Sequence, residues 1–133
     1  MRAQQKAAVA PGRTEVPQQK ALVGFFRIME LWGVGNAEAR RLLGSPPPRT
    51  FFEWKAGRVR RMPEDALRRI GYVAGIYKGL QILYSDPALA DGWVKRPNRF
   101  FGDHSPLERM TAGDVTDLAA VRAYVDAARA AWS

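Results

Sequence analysis

Cysteine is absent from this 133-residue chain, which excludes disulfide staples and thiolate-bound metal and makes a reducing compartment the natural setting. Histidine is nearly absent: His104 is the single one. There is no H-E-x-x-H pattern, no phosphate-binding glycine loop and no carboxylate cluster at metal-ligand spacing. Gly33-Val34-Gly35 is too short and lies between helices rather than after a strand. Asp103, His104 and Ser105 are consecutive, and three neighbours along a chain cannot easily converge side chain to side chain as a catalytic triad must. The chain therefore reads as a non-enzyme with no cofactor, no metal and no catalytic residue. No apolar run reaches membrane-spanning length, and Arg2 and Lys6 are not followed by the apolar stretch of a signal peptide. A soluble, cytoplasmic protein with no membrane contact is expected. Alternating strand patterns are missing as well, so the fold class is all-α.

What is present is a lopsided charge. Residues 1–61 hold 12 Lys/Arg against 4 Asp/Glu, whereas residues 62–133 hold 9 of each. The whole excess of +8 thus sits in the first half. A one-sided excess points to a surface that faces a polyanion, although a solvated face with a basic tail gives the same count.

The length suits one compact domain, or two small helical subdomains on a common core. Residues 1–19 mix Gln, Ala, Pro and basic residues without periodicity and read as a flexible arm. From Lys20, Leu22, Phe25, Met29 and Trp32 recur at helical spacing, with Phe26 widening the stripe, until Gly33 and Gly35. Asn36 is placed as N-cap of a short helix over 37–43, and Gly44 as its stop. The prolines at 46–48 force a turn, and a third helix over 48–56 begins on Pro48 and closes at Gly57. Residues 20–61 therefore outline a helix-turn-helix.

Pro63 opens a helix reaching about Tyr84 that reads as the longest in the chain. It is apolar nearly all round, and it forms a central connecting segment over 62–85. Gly71, Gly75 and Gly79 fall on one face of it. Each glycine costs about 1 kcal/mol of helix propensity, so three in register suggest a close neighbouring helix, from this chain or from a second copy. Asp86-Pro87 and Ser105-Pro106-Leu107-Glu108 read as capped helix starts, the second a capping box. The second of these helices is expected to end at Gly113. Leu118, Val121 and Val125 mark a last helix over about 116–131, so that residues 86–133 form a C-terminal unit.

In the basic half, Arg49, Thr50 and Lys55 (with Glu53 among them) are types that reach bases or phosphates from a major-groove helix. Arg58, Arg60 and Arg61 come next and suit phosphates. Phe51, Phe52 and Trp54 are expected to pack that helix on the first. Two readings stay open: operator DNA binding, or an inherited scaffold whose arginines are solvated.

Residues 93–113 carry an ordered set: Trp93, Pro97-Asn98, Phe101-Gly102, Pro106-Leu107 and a terminal Gly113. The set resembles the toxin-binding domain of the MbcA/ParS/Xre antitoxin family, and the upstream half resembles that family's Xre-like helix-turn-helix. The resemblance covers about 20–133 and looks closest to ParS-type members. It implies a type II antitoxin whose partner is a RES-domain toxin, an ADP-ribosyltransferase or NAD-degrading enzyme. In such a pair the antitoxin's C-terminal region occludes the toxin's NAD pocket, and the complex autoregulates its operon through the helix-turn-helix. The NAD chemistry belongs to the partner.

Within that frame Trp93, Asn98, Phe101, Gly102, Pro106 and Gly113 read as the structural residues of the motif. Arg96, Arg99, Phe100, Asp103 and His104 are the candidate toxin contacts in the loop. Arg122, Arg129, Trp132 and Ser133 are those near the terminal helix, with the tail as the plug. The assembly expected is a homo-oligomer or a toxin–antitoxin hetero-oligomer. The competing reading is a stand-alone helix-turn-helix transcriptional regulator with a C-terminal dimerisation domain.

Overall fold

The computed structural model describes residues 11–132, with side chains from 17 to 131. Among these residues the chain is all-α: α1 (Pro11–Trp32), α2 (Asn36–Leu42), α3 (Pro48–Lys55), α4 (Glu64–Leu83), α5 (Pro87–Gly92), two 3-10 turns (Trp93–Lys95 and Arg99–Phe101), α6 (Pro106–Met110) and α7 (Val115–Trp132). α4 packs against α1, α5 and α7, which is why it is apolar on several faces. Val73, Ile76 and Leu80 of α4 are fully buried, as are Leu118, Val121 and Val125 of α7. A single core runs from Leu22 and Phe25 of α1 through α4 to Met110 and α7.

The glycine face of α4 is occupied from within the chain. A Cβ on Gly79 would sit 2.5 Å from Val125 Cγ1, and one on Gly75 would collide with the Arg122 guanidinium. Gly71 meets nothing. The absent side chains at 75 and 79 let α7 lie closer to α4 than an alanine would allow. Two polar clasps reinforce this packing. Buried Arg69 donates through Nε to Asp65 (2.7 Å) and through Nη2 to the Gly113 carbonyl (3.1 Å). Lys95 Nζ donates to the Gly33 carbonyl, where α1 ends.

The structure departs from the sequence expectations at several points. α1 starts at Pro11, so residues 11–19 are helical rather than an arm; residues 1–10 of that expected arm lie outside the described residues. Proline suits a helix start, and a buried polar contact ties this helix down: Gln18 Oε1 accepts the Met62 N–H at 3.0 Å. With 22 residues, α1 and not α4 (20 residues) is the longest helix. Asn36 is the first helical residue, behind an N-cap at Gly35 that makes no side-chain bond. Its Oδ1 instead accepts from Lys55 Nζ at 2.6 Å. α6 ends at Met110, and Gly113 serves the turn beyond it at φ 114°. The Asp86 cap and the Ser105–Glu108 capping box form as expected.

The packing separates the glycines in sign. Gly79→Ala should lower stability by about 1–2 kcal/mol, overpacking against Val125 outweighing the gain in helix propensity. Gly71→Ala, with open space around it, should raise stability by about 0.5–1 kcal/mol. Chemical denaturation of the two variants measures both.

Candidate functional site

The chain leaves α5 through a tightly bonded loop. Trp93 and Val94 are buried beneath it. Asn98 organises residues 98–104 through four bonds, one of them the Phe101 N–H to its carbonyl at 3.0 Å. Its N–H donates to the His104 carbonyl at 3.0 Å, its carbonyl accepts from Asp103 N–H at 3.0 Å, and its Oδ1 accepts from Phe100 N–H at 2.9 Å. Gly102 and Asp103 both take left-handed backbone conformations, at φ 69° and 68°. Glycine adopts this at no steric cost and aspartate is among the few others that visit it. The loop is closed behind by the capping box, in which Glu108 N–H donates to Ser105 Oγ (3.1 Å) and Ser105 N–H to Glu108 Oε1 (2.8 Å). The bond from the Ser105 backbone holds the Glu108 carboxyl below its ordinary pKa, with help from the charge of His104, whose Nδ1 lies 3.7 Å away.

This loop presents an aromatic cluster centred on Tyr124 of α7. Trp93 stacks on Tyr124 at 5.9 Å, Phe101 lies tilted at 5.5 Å and Phe100 at 4.7 Å. Phe101 is buried, and Phe100, edge-on to it, is 66% exposed. Beside Phe100 opens a shallow apolar hollow of about 430 Å³, floored by Ala120, Ala123, Tyr124, Ala127 and Ala128. The period of an α-helix puts this alanine face on the side of α7 opposite Val125 and Arg122, which face α4. Small side chains there allow the backbone of a partner to come near.

The candidate contact residues fall into three groups. Arg99, Phe100, Asp103 and His104 come together, all exposed, on the Asn98-organised loop. Arg96 is exposed and donates to the Leu89 carbonyl at 2.9 Å. Arg122 and Arg129 are half-buried: Arg122 lies over Gly75 and pairs with Asp126 at 3.1 Å, and the stem of Arg129 approaches Gly79. They serve the α4–α7 contact. Ser133 and the side chain of Trp132 lie outside the described residues. Tyr124 stands on the terminal helix beside the sequence candidates Arg122 and Arg129, whereas the alanine face was not among them, although Ala120, Ala123 and Ala127 recur at steps of three and four.

In the basic half, Phe51 and Trp54 fix the inner face of α3, with Phe51 edge-on to Phe26 of α1 at 5.6 Å. Phe52, expected to pack inward, is 51% exposed instead, because neighbours on a helix are 100° apart and Phe51 already holds the inner face. Arg49 extends into solvent, weakly paired with Glu53 at 3.6 Å. Thr50 is half-buried beside Pro46 and Pro47, and Lys55 is held by Asn36. Arg58, Arg60 and Arg61 project outward from a segment that buried Val59 and Met62 anchor. Among the described residues no group of His, Asp or Glu could hold a metal ion, and no helix is long and apolar enough to cross a membrane.

Comparison with known proteins places the C-terminal part in a defined group. Residues 79–130 match the model of the antitoxin Xre/MbcA/ParS C-terminal toxin-binding domain. The chain is also 42% identical over 109 residues to the uncharacterized protein y4oB of Sinorhizobium fredii, which covers 81% of this chain and 83% of that protein. No solved structure matches the chain.

The capping box makes the loop sensitive to acid in one direction. A depressed carboxyl pKa contributes stability in full above the ordinary value of 4.5 and loses it as pH falls through the lower folded value. The stability difference between the parent chain and Glu108→Ala should therefore shrink progressively as pH falls from 4.5 through the lower folded value. Ser105→Ala, which removes a cap, should cost about 1 kcal/mol at neutral pH. Thermal melts across pH test both.

Proposed function

The chain belongs to the Xre/MbcA/ParS antitoxin family, and from that premise we propose that it neutralises a RES-domain toxin by laying the Phe100 loop and the alanine face of α7 over the toxin's NAD-binding cleft. The observation that carries this reading is the placement of Phe100. It is a large aromatic held two-thirds exposed by a loop whose backbone is bonded across itself, next to an apolar hollow, and within the matched residues 79–130. Exposed aromatics on ordered supports supply a large share of the energy in protein interfaces. Arg99, Asp103 and His104 form the polar surround that such an anchor uses for register. Residues 130–133, with Trp132 and Ser133, follow along the chain and serve as the plug. Catalysis remains with the toxin, and this chain acts by occlusion.

The basic half supports a second task for the same molecule, binding of operator DNA with autoregulation of its own operon. α3 offers Arg49, with Thr50 and Lys55 beside it, while Arg58, Arg60 and Arg61 stand on an anchored segment suited to backbone phosphates. Toxin and antitoxin then assemble as a hetero-oligomer in the cytoplasm, built on a homo-oligomer of this chain. A stand-alone regulator would leave the Phe100 surface without a toxin to cover.

Two outcomes are expected. Phe100→Ala should weaken the complex with the toxin encoded beside it by about 30-fold or more, a hot-spot loss of about 2 kcal/mol, and abolish growth protection in co-expressing cells. Its melting temperature should stay near that of the parent, since the side chain is exposed. Protection that survives the substitution overturns the assignment of this surface. Replacing Arg58, Arg60 and Arg61 together by alanine should flatten the slope of log affinity against log salt for promoter DNA by about 3. An unchanged slope removes these arginines from the phosphate contact.

A further inference from the structure

We propose that Phe52 reads the C5-methyl groups of thymine on the floor of the DNA major groove, making it a specificity-determining residue of α3. The inference rests on the DNA-binding role proposed for the basic half and adds to it the kind of base feature recognised.

Phe52 has no place in the core. Phe51, 1% exposed, and Trp54 hold the inner face of α3, so the next residue, a rotation of 100° away, points out of the fold. Its ring is nonetheless kept in position, edge-on to Phe51 with centroids 5.0 Å apart. An exposed phenylalanine by itself requires no occupant. What singles out Phe52 is its surroundings. Arg49 lies one turn before it and Lys55 one turn after, on the same side of the helix. Arg58, Arg60 and Arg61 are exposed immediately beyond the helix. An aromatic ring set among cations, with the partly exposed Glu53 paired to Arg49, complements a surface that is anionic at its rims and carries an apolar group between them.

The major groove of DNA offers this at A·T pairs, where a methyl group stands on a floor otherwise made of hydrogen-bond donors and acceptors. Phosphates line both edges, and the thymine methyl is the apolar group that the base edges present there. An eight-residue helix is about 12 Å long, close to the groove's width of about 12 Å. With α3 in the groove, the cations on either side would meet the phosphates while Phe52 is carried to the base edges. Burying one methyl against it is worth about fourfold in affinity, from the transfer of one methyl-sized apolar group.

The test uses the full chain and the duplex upstream of its own reading frame, amplified once with thymidine triphosphate and once with deoxyuridine triphosphate. The second product lacks every thymine methyl. At low salt the parent chain should bind the uracil duplex about fourfold more weakly for each methyl contacted. Phe52→Ala should bind the thymine duplex more weakly by a similar factor and treat the two duplexes alike. Phe52→Leu, which keeps an apolar surface, should retain part of the discrimination. Melting curves of the variants should match the parent, since the site is exposed.

Equal binding of both duplexes by the parent chain, or undiminished discrimination by Phe52→Ala, overturns the proposal while DNA binding stands. A Phe52→Ala chain that binds DNA normally but fails to neutralise the toxin assigns the ring to a protein partner and overturns it as well. No binding to either duplex at low salt removes the DNA-binding reading itself, and this inference with it.

Discussion

Everything in this molecule depends on how closely α7 can lie on α4. The two helices meet where Gly75 and Gly79 present bare backbone, and Val125, the Arg122 guanidinium and the stem of Arg129 fill the space. Closeness of this kind fixes rotation as well as distance, because Val125 fits against Gly79 in one register. With α7 so placed, its outer side is determined too. The alanine face at Ala120, Ala123 and Ala127 points away from α4, and Tyr124, half-buried on the flank of α7 beside Leu83 and Tyr84, becomes the support on which Trp93, Phe100 and Phe101 assemble. An inward contact between glycine and valine thus decides what the protein shows to a partner.

The halves that the charge distribution distinguishes are not mechanically separate. The core is continuous from α1 to α7, and Lys95, from the loop after α5, crosses the boundary to bond the end of α1, while Arg69 of α4 ties the turn at the Gly113 carbonyl within the second half. Both cations donate to backbone carbonyls at chain turns, groups that would otherwise need water or another donor. The basic face of the first half and the aromatic face of the second are therefore presented by one framework at a set relative orientation.

Much of this was legible in the sequence where a single physical requirement dominated. Ser105 and Glu108 at cap spacing, Asp86 before Pro87, and the all-α class each follow from local chemistry, and those elements formed. The glycines at every fourth position announced a close neighbour, but only the fold could say that α7 is that neighbour and that Gly71 takes no part. The start of α1 was hidden because its first turns are polar and aperiodic, and the Gln18 bond to Met62 joins residues far apart in sequence. Asn36 has the side chain of a cap, yet Lys55 claims it. Two adjacent phenylalanines on one helix cannot both face inward, and composition alone does not say which one does. The toxin-contact candidates Arg122 and Arg129 turn out to serve the α4–α7 contact, because the glycines opposite leave room for the Arg122 guanidinium and the Arg129 stem. The alanine face escaped notice because small side chains contribute little hydrophobic signal even when they line a helix in phase.

The loop at 98–104 has a further consequence. Its shape is held by the four Asn98 bonds and by two left-handed residues in succession, so the conformational entropy that a floppy segment surrenders on docking has already been given up during folding. Association with a partner then requires no search through loop conformations, and encounter frequency governs how fast the pair forms. Differences among sequence variants of this surface would be felt mainly as differences in residence time. For a protein whose task is to keep another one silent, a long-lived grip counts for more than a quick one, and a stiff loop supplies it.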